Sequence, residues 1–226
     1  GGVGKSVISR LLAQYYIDRE TRFRVYDADL SHGAMMRYYS GFSEPVDITQ
    51  FESADSIAEQ TAESGVTAIV DLAAQTARPL GSWINESGLL DLADDIGLTL
   101  SFWHVMDDGS DSLQLLHGLF DNYGDRVEYI IARNFGRGSN FSHFNEPEIA
   151  QRLATLNAKM IDIPALHAPT MRKIDHISAS FWAAANNKDK KLGPTLGLLE
   201  RQRVKTWLHK TYVQLDKIHL NESSLA

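Results

Sequence analysis

The sequence predicts a three-layer α/β/α fold in which helices cover both faces of a mostly parallel sheet. Short, continuously apolar strands alternate along the chain with segments of helical periodicity, which is typical of parallel sheets buried on both faces. The chain also opens on a glycine-rich turn directly before an amphipathic helix, and this turn reads Gly1-Gly2-Val3-Gly4-Lys5-Ser6. The turn matches the last six positions of the phosphate-binding loop G-x-x-x-x-G-K-[ST]. Because the motif begins in its middle, we expect the first strand of the sheet to be missing from the chain.

Composition narrows the class of protein. A length of 226 residues suits one α/β domain, so we expect a single domain over residues 1–226. Cysteine is absent, which excludes disulfides, thiolate metal sites and cysteine-ligated iron–sulfur clusters. No apolar run approaches the roughly 20 residues of a membrane span, and we expect a cytoplasmic protein without a membrane partner.

Each residue type in the opening turn has a physical role in binding phosphate. Glycines let backbone N–H groups curl around an anion, and the following helix points its positive end at the same anion. Lys5 would reach the terminal phosphates, and the Ser6 hydroxyl would bind a magnesium ion. The alternative is a simple glycine-rich turn before a helix. If the loop binds nucleotide, its contacts would come from Gly1, Gly2, Val3, Gly4, Lys5, Ser6 and Val7.

The predicted elements follow the chain in order. Apolar residues at helical spacing predict the first helix over residues 3–20, and a brief alternation predicts a strand over 23–26 that runs into acidic residues. Gly33, Gly41 and Pro45 mark an irregular stretch. The later elements are helix 54–63, strand 67–71, helix 82–95, strand 98–106, helix 112–122, strand 127–132, helix 146–157, strand 160–163, helix 169–186 and helix 195–218. A loop rich in Gly, Ser, Asn and Phe is predicted over residues 135–145.

Polar residues stand at the ends of three predicted strands. Asp27 and Asp29 follow the strand 23–26, Asp71 ends the strand 67–71, and Asn134 follows the strand 127–132. In parallel α/β sheets, ligands lie beyond the carboxyl ends of the strands, so these side chains are the candidates for nucleotide and magnesium contacts. Two exposed aspartates at a strand end, and an asparagine that caps a loop or helix, remain the alternatives.

The opening turn resembles that of the ParA/MinD family of deviant Walker-A P-loop ATPases, whose loop usually reads Lys-Gly-Gly-Val-Gly-Lys-[Thr/Ser]. The family's signature lysine would stand immediately before Gly1. The resemblance implies a P-loop NTPase fold with slow, Mg²⁺-dependent ATP hydrolysis that serves as a switch. It also implies an ATP-dependent homodimer that binds DNA or a partner protein.

The resemblance assigns roles to the residues at the strand ends. Lys5 and Asp29 would be catalytic, with Asp29 orienting the hydrolytic water. The metal ligands would be Ser6, Asp71 as the Walker-B aspartate, and Asp27. Asn134 would read the adenine edge, although the family's usual Asn-Arg order is reversed in Arg133-Asn134. The guanine-reading Asn-Lys-x-Asp pattern is absent, which favours ATP over GTP.

One segment departs from the family. Its Walker-B region often reads Asp-x-Pro-x-Gly, whereas this chain has Asp71-Leu72-Ala73-Ala74-Gln75, and Gln75 could position water or contact the γ-phosphate. This segment and the 135–145 loop resemble the plasmid-transfer and plasmid-stability (TraL/StbB-like) branch. That branch implies a role in plasmid partition, stability or conjugative transfer, with a plasmid-encoded partner.

Charge is unevenly distributed along the chain. The net charge is −7, yet residues 172–217 hold 10 Lys/Arg against 4 Asp/Glu. This basic helical segment, about 169–218, could contact nucleic acid or an acidic partner, or it could be a solvated helix face. Residues 219–226 are too short and too weakly basic for a membrane-binding helix.

Two other classes of function remain open at this point. One is a metabolic kinase or an ATP-dependent ligase on the same scaffold, which would need a substrate pocket beside Asp29. The other is a nucleotide-binding scaffold without turnover, which the irregular segment after Asp71 would favour.

Overall fold

The computed structural model of the protein describes residues 2–219, so Gly1 and residues 220–226 lie outside the described residues. The chain forms two compact units. The first contains Lys5–Thr99 and Ser178–Ala183, and the second contains Gly2–Gly4, Leu100–Ile177 and residues 184–219. The expectation of a single domain over 1–226 stays a prediction.

The first unit is built on a parallel sheet of three strands. They are β1 (Phe23–Asp27), β2 (Ser43–Pro45) and β3 (Thr67–Asp71), in the order β2-β1-β3. The register pairs Asp27 with Asp71, so the carboxyl ends of two neighbouring strands each carry an aspartate side by side. The helices of this unit are α1 (Lys5–Asp18), α2 (Ala34–Tyr38), α3 (Phe51–Ser64), α4 (Ala77–Glu86) and α5 (Leu89–Ile96).

Helix α1 packs on this sheet through one apolar face. Ile8, Leu11, Leu12 and Tyr15 are all buried at a spacing of three and four residues, which places them on one face of the helix, and α1 contacts β1 and β3. The apolar residues whose periodicity predicted this helix are therefore part of the core. At 25 cal/mol per Å² of apolar surface, each such buried side chain contributes roughly 1.5–3 kcal/mol to folding.

The second unit is built on another parallel sheet of three strands. They are β4 (Ser101–Met106), β5 (Glu128–Asn134) and β6 (Lys159–Ile163), in the order β4-β5-β6. Its helices are α6 (Ser110–Tyr123), α7 (Pro147–Thr155), α8 (Ala168–His176) and α10 (Leu198–His219), while α9 (Phe181–Asn186) begins in the first unit. Helix α10 packs on β6, and the indole nitrogen of Trp207 donates to the carbonyl of Pro164 at 2.6 Å.

The predicted α/β fold with parallel strands and flanking helices is confirmed, although the strands form two three-stranded sheets. Several element bounds differ. The predicted helix 82–95 is two helices, because Gly88 takes a left-handed conformation (φ +63°) between α4 and α5. The predicted helix 169–186 is likewise interrupted at Ser178 (φ +52°). Helix α2 and strand β2 lie in the stretch that was expected to be irregular.

None of the helices within residues 2–219 has the length and apolar character required to cross a membrane.

Candidate functional site

Asp71 ends β3 with a buried carboxylate whose two oxygens differ. The residue is 2% exposed. Its Oδ1 accepts a hydrogen bond from the Ser9 hydroxyl at 3.0 Å, whereas its Oδ2 has no hydrogen-bond partner among the described residues. Burying a carboxylate oxygen without a partner is costly, and such an oxygen suits a cation. This carboxylate is therefore the feature that most clearly marks a functional site.

Burial raises the pKa of Asp71 above its ordinary value, and the negative charge of Asp27 acts in the same direction. The Ser6 hydroxyl, the hydrogen bond from the Ser9 hydroxyl and the positive charge of Lys5 lower the pKa of Asp71, but by less. Lys5 and Ser6 of the phosphate-loop motif therefore lie close enough to the Asp71 carboxylate to lower its pKa.

Ser9 is a residue of this site that the sequence analysis missed. Its hydroxyl contacts both the carbonyl of Lys5 at 3.3 Å and the carboxylate of Asp71 at 3.0 Å. It lies four residues after Lys5 in α1, and residues at that spacing share one helix face. A serine one turn beyond the loop, on the same helix face as Lys5, was the signal available in the sequence.

The Asp27 carboxylate accepts hydrogen bonds from backbone N–H groups of the residues that follow it. Its Oδ2 accepts hydrogen bonds from the N–H groups of Met35 at 2.7 Å and Met36 at 3.0 Å, and its Oδ1 accepts one from Asp29 at 3.1 Å. The carboxylate therefore caps the first turn of α2, where N–H groups lack partners within the helix. This places the predicted magnesium ligand beside Asp71 but with hydrogen bonds already made.

Asp29 organises the turn after β1. Its Oδ1 accepts hydrogen bonds from the N–H groups of Ser31 at 3.1 Å and His32 at 3.0 Å. Its side chain is 30% exposed. The predicted role of Asp29 in orienting water stays a prediction.

The described part of the phosphate loop requires glycine at two positions. Gly2 and Gly4 both have φ near +102°, a conformation that L-residues rarely adopt. At Gly4 a Cβ atom would also lie 2.4 Å from the side-chain nitrogen of Asn134, closer than atoms can approach. Gly4 is therefore fixed both by backbone conformation and by the neighbouring asparagine.

Asn134, the last residue of β5, holds this part of the loop. Its side-chain nitrogen donates to the carbonyl of Val3 at 2.8 Å, and its side-chain oxygen accepts from the N–H of Gly136 at 3.0 Å. A primary amide has two N–H donors and an oxygen that accepts two hydrogen bonds, so half of that capacity remains. Asn134 can therefore support the loop and still contact a ligand.

The predicted loop 135–145 is ordered by the turn after β4. The Asp108 carboxylate accepts hydrogen bonds from the N–H groups of Ser139 at 2.8 Å and Asn140 at 3.1 Å, and these bonds lower the pKa of Asp108. A Cβ atom at Gly138 would lie 2.6 Å from the backbone nitrogen of Asp108, so the close approach requires glycine there. The same loop includes a short 3₁₀ helix over Ser142–Asn145.

No group of three or more His, Asp or Glu side chains within residues 2–219 is arranged to hold a metal ion by itself. Ser6 and Asp71 nevertheless supply a hydroxyl and a carboxylate oxygen, which are ligands that magnesium prefers. Magnesium typically keeps waters and substrate phosphates as its other ligands, so a nucleotide would complete the coordination.

The basic C-terminal segment is partly used within the fold. The Arg201 side chain donates to the carbonyl of Leu196 at 2.6 Å, and Lys173 pairs with Glu200 at 2.5 Å. Arg203 and Lys205 are exposed on α10. These two side chains are accessible to an acidic partner.

No protein-family profile and no curated protein matches the chain. Among solved structures, the chain is similar to a nucleotide-binding protein from Archaeoglobus fulgidus, determined in complex with ADP and containing cobalt. The two chains are 14% identical, the match covers 78% of this chain and 82% of the other, and the TM-score is 0.43. A similarity at that level does not bear on the chemistry of this chain.

Proposed function

We propose that the protein is a magnesium-dependent ATPase that uses slow hydrolysis as a switch, in the manner of the ParA/MinD family. The observation that supports this most directly is the Asp71 carboxylate, which is buried and has one oxygen without a hydrogen-bond partner among the described residues. Lys5 and Ser6 of the phosphate-loop motif both lower the pKa of this carboxylate. A cation between Asp71 and a bound phosphate would offset the cost of burying that charge.

The residues take separate roles in this proposal. Lys5 stabilises the charge of the terminal phosphates, and Ser6 and Asp71 hold the magnesium ion, with Asp27 supporting it. Bound magnesium would neutralise charge that develops on the phosphates. Asp29 orients the attacking water, and Asn134 contacts the adenine edge with the donor and acceptor capacity that Val3 and Gly136 leave over. Backbone N–H groups of the loop, including Gly1 and Val7, complete the phosphate contacts.

The cellular role is the part of the proposal that depends on resemblance. We infer a cytoplasmic protein that forms an ATP-dependent homodimer and binds DNA or a plasmid-encoded partner. Its process would be plasmid partition, stability or conjugative transfer. The support is the segment from Asp71 to Gln75 and the loop 135–145, together with the exposed Arg203 and Lys205 on α10.

Calorimetric titration of ATP with and without Mg²⁺ tests the nucleotide site. Lys5→Ala should weaken ATP binding at least about tenfold, because it removes a phosphate contact worth about 1.4 kcal/mol or more. Lys217→Ala is the matched control, since Lys217 is exposed and bonds only to Gln214 of its own helix among the described residues. Equal ATP affinity in both variants and the wild type would contradict the site.

Turnover assays then separate the switch from the other two classes of function. Phosphate release raised by DNA or by a protein partner supports the switch. Release that requires a small second substrate indicates a kinase or ligase. ATP binding without release indicates a scaffold.

A further inference from the structure

Gln75 has an unusual backbone for its residue type. It lies four residues after Asp71, in the segment between β3 and α4, and its φ is +66°. Glutamine in this left-handed region has a Cβ that crowds the backbone, which raises its free energy relative to glycine. Its side chain is exposed, so burial does not explain why a long polar residue occupies this position.

The other non-glycine residues with positive φ in the described chain have an ordinary explanation. Glu20, Asn157 and Ser178 have φ of +54°, +49° and +52°. Each lies two residues after the last residue of a helix (α1, α7 and α8, respectively). A left-handed residue is common there because it allows the last helical carbonyls to be satisfied.

Gln75 does not end a helix. It precedes α4, and the residue between them, Thr76, is the N-cap. The Thr76 hydroxyl donates to the carbonyl of Ala73 at 2.9 Å, and the N–H of Leu80 donates to the carbonyl of Thr76 at 3.0 Å. These bonds fix the turn around Gln75 although the residue itself is strained. Among residues 2–219, it is the one strained non-glycine position that helix termination leaves unexplained.

We propose that Gln75 is a second catalytic residue that, together with Asp29, orients the water attacking the terminal phosphate of bound ATP, an inference that rests on the proposed function. Strained residues are found preferentially at active sites, where the strain holds a side chain in the orientation that the reaction needs. Gln75 lies beyond the carboxyl end of β3, in the same unit as Lys5, Ser6 and Asp71. A primary amide suits this task because its oxygen accepts from the water while its nitrogen donates to a phosphate oxygen.

The chemical step is the hydrolysis of ATP to ADP and inorganic phosphate. The water oxygen forms a bond to the γ-phosphorus, and the bond from that phosphorus to the oxygen bridging to the β-phosphate breaks, leaving that electron pair on ADP. The proton of the water leaves to the released phosphate and then to solvent. Gln75 stays neutral throughout, so its contribution is positioning of the nucleophile by direct contact.

Three variants separate chemistry from strain. Gln75→Gly removes both the side chain and the strain, so it should raise Tm by about 2–4 °C and lower turnover at least about tenfold. Gln75→Ala removes the side-chain amide and keeps a Cβ, so it should lower turnover without that rise in Tm. Glu20→Gly is the matched control: it relieves similar strain after α1, and should raise Tm while turnover stays at the wild-type rate.

The measurements are ATP affinity by calorimetry, single-turnover phosphate release and thermal unfolding, all on the whole protein. ATP affinity should stay within about twofold of the wild-type value in every Gln75 variant, and only phosphate release should be slowed. If the wild type releases phosphate and Gln75→Gly and Gln75→Ala release it at the wild-type rate, the role of Gln75 is wrong while the proposed ATPase function stands. A wild-type protein that binds ATP and releases no phosphate would overturn hydrolysis, and Gln75's role with it.

Discussion

The side-chain nitrogen of Asn134 donates a hydrogen bond of 2.8 Å to the backbone carbonyl of Val3. This bond joins the carboxyl end of β5 to the phosphate loop across 131 positions of sequence. Asn134 is 5% exposed, so the bond is shielded from water, and breaking it leaves a carbonyl without its partner. The relationship makes the conformation of the loop depend on one amide.

Asn134→Ala should therefore lower the free energy of unfolding by about 1–2 kcal/mol and weaken ATP binding. Urea denaturation and calorimetric titration measure the two effects. Asn140→Ala is the control, because Asn140 is exposed and its side chain accepts only a local bond from Ser142 within the described residues. Identical stability of the two alanine variants would show that the Val3 contact contributes nothing.

Gly4→Ala and Gly2→Ala form a second test of the same contact. Both glycines have φ of +102°, so both substitutions place a Cβ at the same positive φ. Only at Gly4 would the added Cβ also meet the Asn134 nitrogen, at 2.4 Å, whereas at Gly2 it meets nothing within 4 Å. Gly4→Ala should be less stable than Gly2→Ala by about 1–3 kcal/mol in thermal denaturation. A Gly2→Ala variant as unstable as Gly4→Ala would mean that backbone strain alone decides.

Asp71→Asn should make the ligand-free protein more stable at neutral pH. The folded-state pKa of Asp71 lies above its unfolded value, so the group contributes fully to stability below about pH 3.9 and loses that contribution as the pH rises through the folded-state pKa. At pH 7, above the unfolded value, burying this carboxyl therefore costs stability, and an asparagine amide avoids that cost. We expect Tm to rise by about 2–6 °C and the further rise with Mg²⁺ and ATP to disappear.

Asp47→Asn is the control, because the fold shifts the pKa of Asp47 in the direction opposite to that of Asp71. Hydrogen bonds from the Thr49 hydroxyl and backbone lower the pKa of Asp47, so its ionised form is favoured in the fold, and its substitution should not stabilise the protein. A Tm of Asp71→Asn below that of the wild type, without ligand, would contradict the account of the Asp71 carboxylate.

Binding to DNA should depend on Arg203 and Lys205. Charge reversal of both to glutamate should weaken non-specific DNA binding and reduce the slope of log affinity against log salt by about 2, because each of the two cations would neutralise one phosphate. Arg201 is left unchanged because its bond to Leu196 would confound the result. The control is the double variant Arg22→Glu with Arg78→Glu, which changes the net charge by the same amount at exposed positions of the first unit. DNA binding that both pairs reduce equally would indicate net charge alone.

Local patterns in the sequence were sufficient for most of the fold and insufficient for contacts between distant residues. Strand β3 was predicted at its observed bounds because a continuous apolar run ends in a single aspartate. Helix α2 was missed because five residues carry little periodicity of their own. Its first turn is instead held by Asp27, and Met35 is fully buried. Strand β2 is three residues long and is defined by its pairing with β1.

In the candidate site, too, some residues were predictable from local sequence patterns and others depend on contacts between distant residues. Motif spacing identified Lys5, Ser6 and Asp71, since each residue type has a fixed place relative to a strand or a glycine turn. The Ser9 contact with Asp71 spans 62 positions and depends on how α1 lies on β3, which no local pattern encodes. The positive φ of Gln75 is likewise a property of the folded turn, and nothing in glutamine's own preferences predicts it.

The three backbone hydrogen bonds that Asp27 accepts have a thermodynamic consequence. A cation bound at Asp27 Oδ2 would compete with the first turn of α2 for the same lone pairs, so metal occupancy and helix anchoring would oppose each other. By linkage the effect is reciprocal. If cation binding destabilises α2, then a change that loosens α2 raises the affinity for the cation by the same free energy. Asp27 would thereby couple the order of α2 to the occupancy of the proposed metal site beside Asp71.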